Sequence, residues 1–204
     1  MFSKEAVEKP DDTLRGDKPD KGGDDQPMVS EGRPPNGLPD IREAQIYLVE
    51  EGRPDLSYRL LARALTDGFP GLCVTRVYPE ILKQRFDLEN CTILWLSTAG
   101  QDEAIRPRDL ERLSLLLEQF LSNNRGVVLV DGIEYLITNN DFVTVLRLIQ
   151  SIRDRVAMSE AIMIISLNPS TLGCQELNLL EREMDSVFRF HLPESNSQQD
   201  FHGR

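Results

Sequence analysis

Between residues 43 and 192 the chain alternates two hydrophobic patterns. One is the short continuous apolar run: Ile46-Tyr47-Leu48-Val49, Leu72-Cys73-Val74-Thr75-Arg76-Val77, Thr92-Ile93-Leu94-Trp95-Leu96-Ser97, Val127-Val128-Leu129-Val130-Asp131 and Ala161-Ile162-Met163-Ile164-Ile165-Ser166-Leu167. Runs of this length without polar alternation are the pattern of strands buried on both faces of a parallel sheet. The other pattern is a stripe at three- and four-residue spacing, which marks one face of a helix. It appears at Leu56, Leu60, Leu61, Ala64 and Leu65, then at Leu110, Leu113, Leu116, Leu117, Phe120 and Leu121, and again at Phe142, Val145, Leu146, Leu148, Ile149 and Ile152.

Turn chemistry sets the boundaries. Asp67-Gly68-Phe69-Pro70-Gly71 stops the first helix, with glycine at its end and proline beyond. Pro79 opens a short helix running to Phe86, and Pro107-Arg108-Asp109-Leu110 opens a long one. Asn139-Asn140-Asp141 supplies cap residues for the helix after it. Asn168-Pro169-Ser170 breaks the fifth strand, and Thr171 to Met184 reads as a helix charged on one side. Ser186-Val187-Phe188-Arg189-Phe190 alternates, as an edge strand does. Strands and helices in this succession predict a three-layer α/β domain over 43–192, with a mostly parallel sheet and helices on both faces. The sheet is expected to centre on the strands at Leu72, Ile93, Val127 and Ile162.

Residues 1–42 differ in composition. Lys18-Pro19-Asp20-Lys21-Gly22-Gly23-Asp24-Asp25-Gln26-Pro27 is charged, rich in Gly and Pro, and nearly free of apolar side chains. Such a segment buries too little surface to offset the entropy of ordering, so 1–42 reads as a disordered acidic tail. The polar residues 193–204 read as a frayed end.

The net charge of −11 argues against a nucleic-acid binder, because neutralising phosphates needs a basic face. No apolar run approaches the roughly 20 residues that span a membrane, and Met1-Phe2-Ser3-Lys4-Glu5-Ala6-Val7-Glu8 has no apolar signal core. These features predict a soluble cytoplasmic protein. Three scattered cysteines without a C-x-x-C pair, and two histidines near the carboxyl end (His191 and His202), predict no metal site, no cofactor and no Cys/His or Ser/His/Asp catalytic set. Cys73 and Cys91, in apolar runs, are expected to be reduced core residues.

The candidate chemistry lies at strand ends. Asp131 closes the most apolar run and is followed by Gly132. In P-loop NTPases an acid at this place holds magnesium; its structural alternative is to cap the next helix. Glu134 lies one turn on, as a water-activating base or as a first-turn acid that suits the helix dipole. Arg76 ends the second strand, where it can meet a ligand phosphate or pair with Asp131, Asp102 or Glu103. No Gly-x-x-x-x-Gly-Lys-[Ser/Thr] motif exists to hold phosphates. After the first strand comes Glu50-Glu51-Gly52-Arg53-Pro54-Asp55, with one glycine, a proline lacking N–H, and three acids that repel phosphate. Arg53 and Ser57 are the residues there that can stand in for the lysine and the magnesium-binding hydroxyl. Glu181-Arg182-Glu183-Met184-Asp185 is expected to be a solvated face, since adjacent helical residues do not converge. The Trp95 ring is expected to pack between sheet and helix.

Gly68-Phe69-Pro70-Gly71-Leu72-Cys73-Val74-Thr75-Arg76, Pro79, Ile93-Leu94-Trp95-Leu96-Ser97, Val127-Val128-Leu129-Val130-Asp131-Gly132-Ile133-Glu134-Tyr135-Leu136-Ile137 and Leu179-Leu180-Glu181-Arg182-Glu183 together resemble an archaeal family, the domain of unknown function DUF835. The resemblance runs from about Tyr47 to Phe190. A remoter likeness is to RecA/KaiC-type ATPases, whose first strand leads through the phosphate loop into a helix, as Tyr47-Leu48-Val49 leads into Leu56. The resemblances imply a degenerate P-loop-like fold, archaeal signalling or regulatory contexts, and protein partners, and they allow a homo-oligomer. Two functions follow. One is a non-catalytic regulatory or interaction module that has lost its phosphate loop. The other is an atypical nucleotide-binding protein or NTPase built on Asp131, Arg76, Arg53 and Ser57.

Overall fold

A computed structural model describes residues 28–31 (as backbone), 37–99, 104–122 and 125–190. The tail expected over 1–42 falls outside the described residues at 1–27 and 32–36, and so does the carboxyl end from 191. The strands are β1 (Met28–Glu31), β2 (Gln45–Glu51), β3 (Gly71–Thr75), β4 (Cys91–Leu96), β5 (Ala104–Ile105), β6 (Arg125–Asp131), β7 (Glu160–Leu167) and β8 (Ser186–Phe190). The helices are α1 (Leu56–Thr66), α2 (Pro79–Arg85), α3 (Leu110–Leu121), α4 (Ile133–Asn139), α5 (Phe142–Ala157) and α6 (Cys174–Glu181). The strands form one sheet in the order β1-β8-β2-β7-β6-β3-β4-β5, and every pair is parallel.

Period-two alternation sorts the strand residues between two cores. Tyr47, Val49, Cys73, Leu129 and Ile164 face α1 and α2, packing against Tyr58, Leu61 and Leu82. Ile46, Leu48, Val74, Val128, Val130 and Ile165 face α3, α4, α5 and α6, packing against Leu113, Ile133, Ile149 and Leu180. This is the three-layer, parallel architecture that the alternating pattern predicts. The caps are local: Asp109 accepts from the Arg112 N–H at 3.1 Å, and Asp141 from the Thr144 N–H at 2.8 Å.

Several details differ from the pattern. The sheet centres on β2, β7, β6 and β3, whereas the Ile93 strand, β4, lies next to the last strand and is only partly buried. β8, expected at an edge, lies between β2 and β1, which is formed by four residues of the compositional tail. Its alternation has another cause: Arg189 pairs with acids at one end of the strand. Glu50 and Glu51 belong to the buried end of β2, and α6 is shorter than Thr171 to Met184.

Candidate functional site

On the face covered by α1, four neighbouring strands end in a buried polar residue: Glu51 of β2, Ser166 of β7, Asp131 of β6 and Thr75 of β3. The ladder aligns Asp131 with Ser166, which brings the row together at the carboxyl ends of the sheet. In open α/β folds this is the edge where ligands bind.

Glu51 occupies the start of α1. One carboxylate oxygen accepts from the N–H groups of Asp55 at 2.9 Å and Leu56 at 2.8 Å. The other accepts from the Ser166 hydroxyl at 2.8 Å and from the Ser57 N–H at 3.4 Å. The helix's own N-cap, Asp55, makes no side-chain cap bond. Glu51 therefore satisfies donors that a helix start leaves open, and its charge lies at the positive end of the helix dipole. Ser57, the candidate for the magnesium-binding hydroxyl, is wholly enclosed, and among the described residues its Oγ has no partner. Arg53 is exposed on the loop.

Asp131 Oδ2 accepts from the Tyr58 hydroxyl at 2.6 Å and from the Thr75 hydroxyl at 3.1 Å, and those two hydroxyls lie 2.8 Å apart. Burial raises the Asp131 pKa, against the lowering effect of the two hydroxyls, while Glu134 and Glu51 push it further up. The capping role considered for Asp131 is not the one it has. Gly132 is the N-cap of α4, with φ at +113°, and no side-chain bond is made there. A Cβ on Gly132 would also lie 2.9 Å from Arg76 Cγ, so glycine is required for both conformation and space. Glu134 accepts from the Asn168 N–H at 2.8 Å, tying α4 to the turn after β7.

Arg76 makes no ion pair with Asp131. Its guanidinium lies 3.5 Å from the centroid of the Tyr135 ring, and Asp102 and Glu103 fall outside the described residues. Trp95 is half-buried between β4 and the start of α2, edge-on to Tyr78, and its Nε1 donates to the Arg76 carbonyl. The acids at 181–185 are engaged as well: Glu181 accepts from Arg189, Glu183 from Arg153 and Gln150, and Asp185 from the Ile46 N–H. They fasten the end of α6 and the turn after it to their neighbours, while Arg182 and Asp185 stay exposed. Cys73 is buried and Cys91 half-buried, and both are free, with the Cys91 thiol pushed up by burial to about 12.

On the opposite face of β2, Glu50 is 5% exposed and bonds Arg189 Nε at 3.0 Å, while Arg189 also binds Glu181 at 2.7 Å. Burial, then the nearby Glu181, push the Glu50 pKa up to about 7, against the pull of Arg189. Among the described residues, its second oxygen meets no donor.

The geometry thus unites Glu51, Ser57 and Asp131 near one helix start, and leaves Arg53 and Arg76 on the surface. Sequence reasoning passed over Tyr58, Thr75 and Ser166. Tyr58 lies three and seven residues before Leu61 and Leu65, on the buried stripe of α1, which is the signal that places its hydroxyl beneath the helix.

Residues 51–184 match the family described as protein of unknown function DUF835. The chain belongs to this family. No curated protein matches this DUF835 chain. Solved structures similar to it include the flagellar accessory protein FlaH from Methanocaldococcus jannaschii, with TM-score 0.54 and 16% identity over 73% of this chain and 72% of that one. A KaiC-like protein from Pyrococcus horikoshii OT3 has TM-score 0.54 and 13% identity over 71% of each chain. A structural-project protein from the same organism has TM-score 0.52 and 15% identity over 73% of this chain and 83% of that one. At these identities the likeness is one of fold: the DUF835 domain has a RecA/KaiC-like α/β architecture. Among the described residues, no helix is long and apolar enough to cross a membrane.

Proposed function

We propose that this chain is a non-catalytic regulatory or interaction module on an NTPase-like fold, in which the place of the phosphate is taken by the protein's own carboxylate. The observation that carries this reading is Glu51, whose carboxylate accepts backbone N–H bonds from Asp55 and Leu56 at the start of α1. A helix start that follows a strand is where such folds hold a phosphate, with backbone N–H groups pointing at the anion. Here the donors are already used, and the occupant cannot leave the chain.

The electrostatics agree. A triphosphate at this edge would meet Glu51 and Asp131, both buried. Two like charges at 4 Å repel by about 4 kcal/mol at an effective dielectric near 20, so several such pairs exceed what one exposed arginine returns. Isothermal calorimetry with magnesium-ATP and magnesium-GTP tests the reading, and no micromolar binding is expected. Micromolar binding that disappears in Asp131→Ala would replace it with the nucleotide-binding alternative.

The module acts in the cytoplasm on a protein partner, in signalling or regulation, with residues 1–27, which precede β1, contributing to partner search. The net charge of −11 supports a partner other than nucleic acid. Pull-downs with the full chain and with a chain lacking residues 1–27, which keeps β1, test this part. If neither retains a protein while the chain binds a small molecule, the interaction reading fails.

A further inference from the structure

We propose that the groove between the start of α2 and β4 binds a methylated ammonium group, carried either by a free quaternary amine or by a methylated lysine of a protein partner. β7, β6 and β3 separate β4 from β2 and its Glu51. The proposal goes beyond the non-catalytic reading and does not depend on it.

Alternate residues of a strand share a face, so Cys91, Ile93 and Trp95 point to the side of the sheet that α1 and α2 cover. With Tyr78, Glu80 and Lys83 of the α2 region they line a groove of about 200 Å³. Trp95 is held there by its Nε1, which donates to the Arg76 carbonyl at 3.2 Å. The Tyr78 ring stands against the indole at 79°, with 5.3 Å between centroids, and Tyr78 is 44% exposed. The two rings are two walls of a corner that solvent reaches.

The face of an aromatic ring is the negative side of its quadrupole, so a cation in such a corner is attracted by both rings. Glu80 adds formal negative charge on the same wall. The positive end of a helix opposes a cation, but α2 presents little of it: Pro79 has no N–H, and the Ile81 N–H donates to the Tyr78 carbonyl at 3.0 Å. The Cys91 thiol brings no competing charge, since burial lifts its pKa to about 12.

Size and hydration select the ligand. A groove of about 200 Å³ is smaller than the roughly 300–1,000 Å³ that encloses a whole small molecule, and suits a head group. A bare ammonium is strongly hydrated and gains little from the apolar wall of Ile93. Methyl groups take the place of that hydration shell and pack on Ile93 and the rings. The resident cation, Lys83, pairs with Glu80 at 3.2 Å, but both side chains are well exposed. Such a pair contributes little, so Lys83 turns out to water when a better-fitting cation enters. The net charge of −11 draws cations to the chain.

Trp95 is the only tryptophan in the chain, so its fluorescence reports on the groove directly. The full chain is titrated with choline and with choline's uncharged isostere, in which a tert-butyl group replaces trimethylammonium. A saturable change with choline is expected at millimolar concentration, with the isostere at least about fivefold weaker. Tyr78→Leu and Glu80→Gln, both at exposed side chains, should each weaken choline by about threefold or more, and Lys83→Gln should strengthen it. A trimethyllysine peptide that binds more tightly than choline identifies a partner's lysine as the source, and one that binds no better identifies a free amine. No saturable change, equal binding of the isostere, or an affinity that Tyr78→Leu and Glu80→Gln both leave unchanged overturns the proposal. So does equal binding of the same peptide with an unmodified lysine. If Tyr78→Leu does not fold, Glu80→Gln and the isostere decide. None of these results bears on nucleotide binding, which separates this failure from failure of the non-catalytic reading.

Discussion

Asp131 is the residue the sequence points to most strongly, and its surroundings hold it inside the fold. Its carboxylate is buried and bonded by the hydroxyls of Tyr58 and Thr75, which also touch each other. Buried polar groups are costly when one partner is removed. Tyr58→Phe should therefore destabilise the fold by about 1–3 kcal/mol, measured by chemical denaturation. An unchanged midpoint would show that the hydroxyl contributes nothing. Asp131→Ala should cost more than Asp131→Asn, because Asn retains an oxygen for the two hydroxyls and removes a charge that burial disfavours. Equal losses in the two variants would mean that the charge itself stabilises the site.

At the scale of the element, α1 starts on a borrowed cap. The helix has a strong apolar stripe and a normal stop, but its N-cap Asp55 makes no side-chain bond, and Glu51 five residues before the first helical turn serves instead. Glu51→Ala leaves the Asp55 and Leu56 N–H groups and the Ser166 hydroxyl unpaired. Hydrogen bonds to a charged group contribute about 1.5–3 kcal/mol each, so a loss of at least about 2 kcal/mol is expected. Hydrogen exchange should locate it as faster opening of the Asp55 and Leu56 amides, with Glu51→Gln intermediate. Unaltered protection at those amides in Glu51→Ala would refute the capping role and remove the main support for an internally filled phosphate site.

For the whole molecule, pH dependence carries an unusual sign. Unfolded Glu50 loses its proton near its ordinary pKa of 4.5, whereas in the fold the pKa is about 7. Between those values the folded state binds more protons than the unfolded one, so stability falls as pH rises through the window. Asp131, raised in the same direction, adds to this fall. Repulsion within a chain of net charge −11 grows over the same range. The melting temperature should accordingly be higher near pH 5 than near pH 7.5, and Glu50→Gln should flatten the difference. A melting temperature that rises steadily from pH 5 to 7.5 would contradict a Glu50 pKa raised by burial and by Glu181.

The sequence alone determined the class of fold, because that class follows from local periodicity. Continuous apolar runs such as Val127–Val130 and Ala161–Ile165 can be satisfied only inside a sheet covered on both faces, and the stripe of α3 only against such a sheet. Sequence also marked Asp131, since an acid ending an apolar strand is a local signal, and the loop after β2, Gly52-Arg53-Pro54-Asp55, carries a single glycine and a proline. What it left open was adjacency. The run at Ile93 is as apolar as the run at Leu72, yet one lies near an edge and the other inside, because strand order depends on connections that no run encodes. The same holds for the site. Glu50 and Glu51 are neighbours in sequence and read as loop acids, but the pleat sends one to Arg189 of β8 and the other beneath α1. Tyr58 meets Asp131 across 73 residues of chain. Such pairings arise only when helix and sheet close over one another, and burial then requires each polar group to find a partner.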